Sequence, residues 1–135
     1  MKILKTLIIF TVIFVAFGFL FVGEVRAGTG DNVSGWAWAE NIGWISFNNT
    51  TGGGTINYGV NINSSTGVFS GYAWSENIGW ISFNESELAG CPISPCQAKL
   101  DVLTKQISGW ARALAYGSGW DGWIRLRDTN YGVWI

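Results

Sequence analysis

The chain has 135 residues, a formal net charge of −1 and no histidine. Without histidine it cannot build a Ser-His or Cys-His catalytic pair, and a zinc site would lack its usual nitrogen ligand. The composition is instead rich in turn-forming and aromatic residues, with 19 glycines and 9 tryptophans. Such a chain favours short strands and tight turns over helices.

The first 27 residues have the pattern of an export signal. A short basic start is followed by 18 uncharged, mostly apolar residues at 6–23, and Val25-Arg26-Ala27 places small residues at the spacing that signal peptidases accept. We predict cleavage after Ala27. The alternative is an uncleaved membrane anchor, because a run of this length just reaches that of a membrane-spanning helix. In both cases residues 28–135 are expected outside the cytoplasm, either secreted or at the cell surface.

The charge of residues 28–135 limits the partners that this domain would bind. The segment carries five Lys and Arg residues and eight Asp and Glu residues, a formal charge of about −3. Nucleic acids and anionic lipids demand clustered cations, so we expect no nucleic-acid partner. Contact with a membrane is expected only through residues 6–23, if the signal is not removed.

An internal repeat organises the exported part of the chain. The segment GWAWAENIGWISFN at 35–48 recurs as GYAWSENIGWISFN at 71–84, with 12 of 14 positions identical. A weaker copy begins at Ser108-Gly109-Trp110. A fixed period of this size is typical of a repeated supersecondary unit, and the boundaries fall near 33–67, 68–105 and 106–135.

Each repeat contains three short runs of aromatic and β-branched residues that are bounded by turn formers. The pattern predicts three strands per repeat, nine in all, and no helix beyond residues 6–23. We therefore predict an all-β domain at 28–135, built from three repeats of a three-stranded meander around a pseudo-threefold axis, as a prism or a barrel-like array. The alternative is a two-sheet β-sandwich.

The first hairpin can pair in two registers. A four-residue loop pairs Ala39 with Trp44 and places Trp36 and Trp38 on the opposite face from Trp44. This register is preferred because it gathers the bulky residues of the hairpin on one face, as a one-sided core requires. If Gly43 instead forms a bulge that closes a three-residue loop, Trp44 joins the face of Trp36 and Trp38.

The preferred register leaves one tryptophan of each repeat on a face of small residues: Trp44, Trp80 and Trp123. These indoles are the candidate ligand-binding residues, because each offers a flat apolar face and a hydrogen-bonding edge to a ligand ring. The competing interpretation, which we favour, is burial between repeats or between sheets. Solvent exposure of the three indoles distinguishes the two interpretations.

Other candidate sites are weaker. Glu40, Glu76 and Asp121 lie at equivalent turns, where carboxylates could act as a glycosidase pair or bind calcium. Acid and base roles need unlike environments, whereas a repeat places its residues in like ones, so solvated turn residues are the simpler interpretation. We predict no catalytic residues, no metal site and no cofactor.

Cys91 and Cys96 are the only cysteines of the chain. An even number in an exported chain predicts a disulfide, here across a short loop that contains two prolines. Closing such a loop contributes about 2 kcal/mol in the chain-entropy estimate.

The segments SGYAWSENIGWISFN at 70–84, SGWARA at 108–113 and GWDGWIRL at 119–126 resemble Trp-rich tandem repeats of predicted exported bacterial proteins. The resemblance covers nearly all of 33–135 and implies an exported, repeated bacterial domain. The sequence thus predicts a non-enzymatic structural or interaction module at the cell surface, which could associate with itself or with other surface proteins. The alternative is a carbohydrate-binding module, lectin-like or cell-wall-binding, whose partner is a cell-surface polysaccharide.

Overall fold

The computed structural model describes residues 30–52 and 55–135. The predicted export signal at 1–27 lies outside the described residues. Within the described ranges, no helix combines the length and the apolar character that a membrane crossing requires.

Ten short strands account for most of the regular structure. They are β1 (Trp36–Ala39), β2 (Gly43–Ser46), β3 (Val60–Ile62), β4 (Phe69–Ser75), β5 (Gly79–Ser82), β6 (Lys99–Leu100), β7 (Gln106–Ser108), β8 (Trp110–Ala113), β9 (Trp123–Arg125) and β10 (Val133–Trp134). The all-β prediction is confirmed.

Two single helical turns also occur, α1 (Asn49–Gly52) and α2 (Glu85–Leu88). The prediction that no helix follows the export segment is therefore wrong at these two places. In α2, Glu85 and Glu87 lie in the first turn, where negative charge is stabilised by the amide groups of the helix N-terminus, and Leu88 is buried. Turns this short carry no periodicity that a sequence pattern could reveal.

The strands form one large and one small sheet. The large sheet has the order β1-β2-β4-β5-β8-β9, with β3 paired to β4, and it curls into a half-barrel. The small sheet has the order β10-β7-β6. The barrel-like prediction is thus confirmed in coarse form. Among the described residues, β1 and β9 each have a strand partner on one side only, so the sheet is open. The three hairpins follow one another along it. The exact number of repeats stays a prediction.

The first hairpin adopts the register with a three-residue loop. Ala39 is opposite Gly43 and Trp38 is opposite Trp44, so the prediction that Ala39 pairs with Trp44 is wrong. Gly43 has a φ of +83°, the left-handed conformation that a three-residue hairpin loop with a bulge requires. A glycine adopts this conformation without steric cost, and the turn chemistry therefore fixes the register.

The second hairpin repeats this three-residue loop, and the third hairpin keeps the glycine position although residues 114–121 connect its strands. Gly79 and Gly122 stand where Gly43 stands, with φ values of +73° and +81°. The bond from the Phe47 amide to the Gly35 carbonyl recurs twice, from Phe83 to Gly71 and from Leu126 to Gly109, at N···O distances between 3.0 and 3.1 Å.

The core lies on the side of the large sheet that carries alanine and isoleucine. Ala73, Ile81 and Ala111 alternate along their strands with the large aromatic residues and are almost fully buried. They pack with Val60 of β3 and Phe69 of β4, with Phe83 just after β5, and with Leu100 and Ile107 of the small sheet.

The predicted disulfide is present between Cys91 and Cys96. It closes the loop that covers the third hairpin, where the Nε1 of Trp110 donates a hydrogen bond to the carbonyl of Ile93 at 2.7 Å. The loop thereby buries Trp110, which is 7% exposed.

Candidate functional site: an aromatic groove on the outer face of the sheet

The observed register places the large aromatic residues on the face opposite to the core. Trp36, Trp38 and Trp44 share this outer face in the first hairpin, where they are 51%, 60% and 59% exposed. The favoured expectation that Trp44 is buried is therefore wrong. The core side instead takes the small Ala37 and the aliphatic Ile45, which leaves the indoles facing solvent.

The three indoles of the first hairpin pack against one another. Trp44 contacts Trp38 at a centroid distance of 5.2 Å and Trp36 at 6.5 Å, both in edge-to-face geometry. Such pairs contribute about 0.5–1.5 kcal/mol beyond area burial. Each indole thus restricts its neighbours, although all three remain open to solvent.

The second hairpin carries the equivalent residues Tyr72, Trp74 and Trp80. Trp80 lies 4.8 Å from Trp74 and 5.3 Å from Tyr58 between ring centroids, again edge to face. Trp80 is half-buried because Tyr58, from the segment before β3, stands against it. The expected burial is therefore partly correct for this residue.

The third hairpin carries Trp110, Arg112 and Trp123 at the equivalent positions. Trp123 is half-buried, because the guanidinium of Arg112 lies over its ring at 4.5 Å from the centroid. Tyr116 stacks on Arg112 at the same distance. The third member of the predicted trio thus faces a cation rather than open solvent.

A groove lies between the first and second hairpins on this outer face. Its volume is about 850 Å³, within the range of small-molecule sites. Trp44 and Trp80 both line it, whereas Trp123 does not. The lining residues are Trp36, Trp38, Gly43, Trp44, Thr55, Ile56, Tyr58, Trp74, Glu76, Asn77 and Trp80.

Polar groups stand at one margin of the groove. Glu76 and Asn77 belong to the tip of the second hairpin, and the Nδ2 of Asn77 donates to the carbonyl of Ile42 at 2.8 Å. This bond holds the tips of the first two hairpins together. Glu76 is the single carboxylate in the described lining, since Glu40 and Asp121 do not contribute to it.

Sequence reasoning missed part of this site. The preferred register assigned Trp36 and Trp38 to the core, although they supply much of the exposed surface. Tyr58 and Ile56 line the groove but are not among the predicted binding residues. The recurring Tyr-Gly-Val motif at 58–60 was the available signal, because it places an aromatic ring just before β3.

No protein-family model, curated protein or solved structure matches the chain. The resemblance to Trp-rich exported repeats therefore stays a prediction that depends on the motifs themselves.

Proposed function

We propose that residues 28–135 form a non-catalytic, extracytoplasmic glycan-binding module that uses the aromatic groove. The observation that carries the proposal is the exposure of Trp36, Trp38 and Trp44, each more than half open to solvent on a paired hairpin. Apolar rings on a folded surface cost free energy unless a ligand or a partner covers them, and a concentrated patch of this kind marks a binding site.

The chemistry of the groove suits a sugar ring. One face of a pyranose presents several C–H groups that pack on the electron-rich face of an indole, whereas its hydroxyl groups point outward around the ring. The groove offers indole surfaces along its floor and the carboxylate and amide of Glu76 and Asn77 at its margin. This arrangement of apolar floor and polar margin is the usual composition of a site for a small polar ligand.

The same lining argues for binding without catalysis. Most glycosidases use two carboxyl groups that flank the scissile bond, one as acid and one as base or nucleophile. Glu76 is the single carboxylate among the described lining residues. Glu40 and Asp121 occupy the tips of other hairpins.

A glycan array and affinity measurements with the purified protein test the proposal. We expect Trp38→Ala and Trp44→Ala each to weaken glycan binding by tenfold or more, because each removes a stacking surface. The matched control is Trp134→Ala, since Trp134 is similarly exposed at 58% but lies on β10 in the small sheet. Absence of binding to every glycan on the array, or an equal loss in the Trp134 variant, would contradict the proposal.

A second candidate is a self-associating structural module. It is favoured by the outer edges of β1 and β9 in the large sheet, which have no strand partner within residues 30–52 and 55–135, because exposed edges are templates for pairing with another chain. Its test is the oligomeric state of the protein in solution.

A further inference from the structure

Arg112 occupies a position that holds tryptophan in the other two hairpins. Trp38 is opposite Trp44, Trp74 is opposite Trp80, and Arg112 is opposite Trp123. The third hairpin therefore keeps one indole of this pair and replaces the other by a cation. The replacement lies on the same outer face of the sheet as the aromatic groove.

Aromatic rings, and no anionic group among the described residues, hold the guanidinium of Arg112 in place. It lies between the rings of Tyr116 and Trp123, 4.5 Å from each centroid. Its side chain makes no hydrogen bond or ion pair with any described residue, and its Nε atom is buried. Arg125, in contrast, forms an ion pair with Asp128.

Arg112 adjoins the groove along the sheet. Ile81 is opposite Ala113, and the Leu114 amide bonds to the Trp80 carbonyl at 2.8 Å. Arg112 is opposite Ser82, two residues along β5 from Trp80, which lines the groove. Residues in this diagonal relation lie about 7–8 Å apart on a shared face.

The acidic and basic residues of the domain are distributed unevenly along the chain. Residues 30–98 contain five acidic residues and no basic ones, whereas residues 99–135 contain all five basic residues and three acidic ones. The groove lies in the acidic part, and Arg112 is the basic side chain on the outer face of β8, next to β5.

We propose that Arg112 forms an anionic subsite beside the aromatic groove, and that the glycan ligand carries a carboxylate there, as in a chain of uronic acids. This inference rests on the proposed glycan-binding function. The planar guanidinium presents its terminal amino groups to a carboxylate in a fixed orientation, because the two rings restrict its rotamer. Trp123 and Tyr116 supply the apolar surface next to the charge. A sugar chain that stacks on Trp80 would bring its next acidic unit to Arg112.

Binding of galacturonate oligosaccharides and of their fully methyl-esterified form, measured by isothermal titration calorimetry at low salt, tests the subsite. We expect the acidic form to bind at least tenfold more tightly, and Arg112→Gln to abolish this difference while binding of the neutral ester changes less than twofold. Unchanged ester binding also shows that the variant is folded. The matched control is Arg125→Gln, which should retain the preference because the Asp128 carboxylate already pairs with Arg125.

Different outcomes contradict the anionic subsite and the glycan-binding function. Equal binding of acid and ester, or an equal effect of the Arg112 and Arg125 substitutions, would overturn the anionic subsite. If a neutral glucan binds the groove and neither galacturonate form does, the subsite is wrong and the glycan-binding function stands. If no glycan binds, both are wrong. Tight binding of a sulfated oligosaccharide that also depends on Arg112 would support the subsite and show that it accepts sulfate groups as well as carboxylates.

Discussion

Position 71 requires glycine for two reasons, its backbone conformation and a close contact with another backbone segment. Gly35 and Gly71 begin equivalent hairpins with φ values of +94° and +91°. A Cβ atom at Gly71 would lie 2.2 Å from the carbonyl oxygen of Gly59, whereas a Cβ at Gly35 would meet nothing within 4 Å. The left-handed conformation penalises any other residue at both sites, but only Gly71 also faces backbone that cannot yield.

We therefore expect Gly71→Ala to cost about 3 kcal/mol or more in the free energy of unfolding, and Gly35→Ala about 1 kcal/mol. Urea denaturation of both variants measures the difference. Gly109→Ala should behave like Gly71→Ala, because its Cβ would lie 2.2 Å from the Gln97 carbonyl oxygen. Similar losses at Gly35 and Gly71 would show that backbone conformation alone sets the cost.

The equivalent aromatic residues Trp36 and Trp110 should also differ in their contribution to stability. Trp110 is 7% exposed and donates a hydrogen bond to the Ile93 carbonyl, whereas Trp36 is 51% exposed. We expect Trp110→Ala to destabilise the fold by about 3–5 kcal/mol, since it leaves a cavity and an unpaired carbonyl. Trp36→Ala should change stability by less than about 1 kcal/mol. Thermal denaturation of the two variants distinguishes a structural indole from one available to a ligand.

At the scale of elements, the disulfide loop is a cover for the third hairpin. Replacing both Cys91 and Cys96 by serine removes the closure of the loop and loosens the contact of Ile93 with Trp110. We expect a loss of about 2 kcal/mol in the free energy of unfolding. The control is Ile93→Ala, which keeps the backbone carbonyl and truncates a side chain that is 56% exposed, so its effect should stay within about 0.5 kcal/mol. A double serine variant as stable as the parent would show that the loop keeps its contact with Trp110 without the disulfide.

The hairpins show how far the sequence alone could predict this structure. Their strands, turns and all-β class followed from the spacing of aromatic and turn-forming residues, and the disulfide followed from the cysteine count. The register did not follow, because Gly43 can either complete a four-residue loop or form the bulge of a three-residue loop. The requirement that bulky residues face the core favours the four-residue loop, whereas the fold buries Ala73 and Ile81 and leaves Trp38 outside.

The prediction of the candidate site depended on the predicted register of the first hairpin. Trp44 and Trp80, predicted as isolated indoles, line one groove as members of aromatic clusters, and their role in binding stays a prediction. Tyr58 reaches Trp80 through a segment that is distant in sequence, and no local pattern specifies such a contact. Arg112 was visible as a departure from the repeat, but its position on the aromatic face became evident only from the pairing with Trp123.

At the scale of the molecule, the large sheet ends in two edges that match each other. Within the chain, β2 joins β4 through Ser46 opposite Trp74, and β5 joins β8 through Ser82 opposite Arg112. The outer edge of β9 presents Arg125 at the position of these serines, and the outer edge of β1 presents Trp38 at the position of Trp74; neither edge has a strand partner in the described part of the chain. A second copy could therefore add β1 to β9 in the register that the chain already uses twice. Such a head-to-tail joint does not close on itself in general, and it leads to longer assemblies.

The charge distribution supports this direction of pairing, since the β9 edge belongs to the basic part of the chain and the β1 edge to the acidic part. We expect the average mass in sedimentation experiments to rise with protein concentration and to fall with added salt.

Arg125→Pro should keep the protein monomeric. The Leu126 amide bonds inward to Gly109, so the amide of Arg125 points outward and its loss breaks no bond between β8 and β9. Arg125→Thr is the matched control, because it removes the same side chain but keeps the outward amide, and it should still associate. A parent protein that remains monomeric at high concentration and low salt would exclude edge pairing.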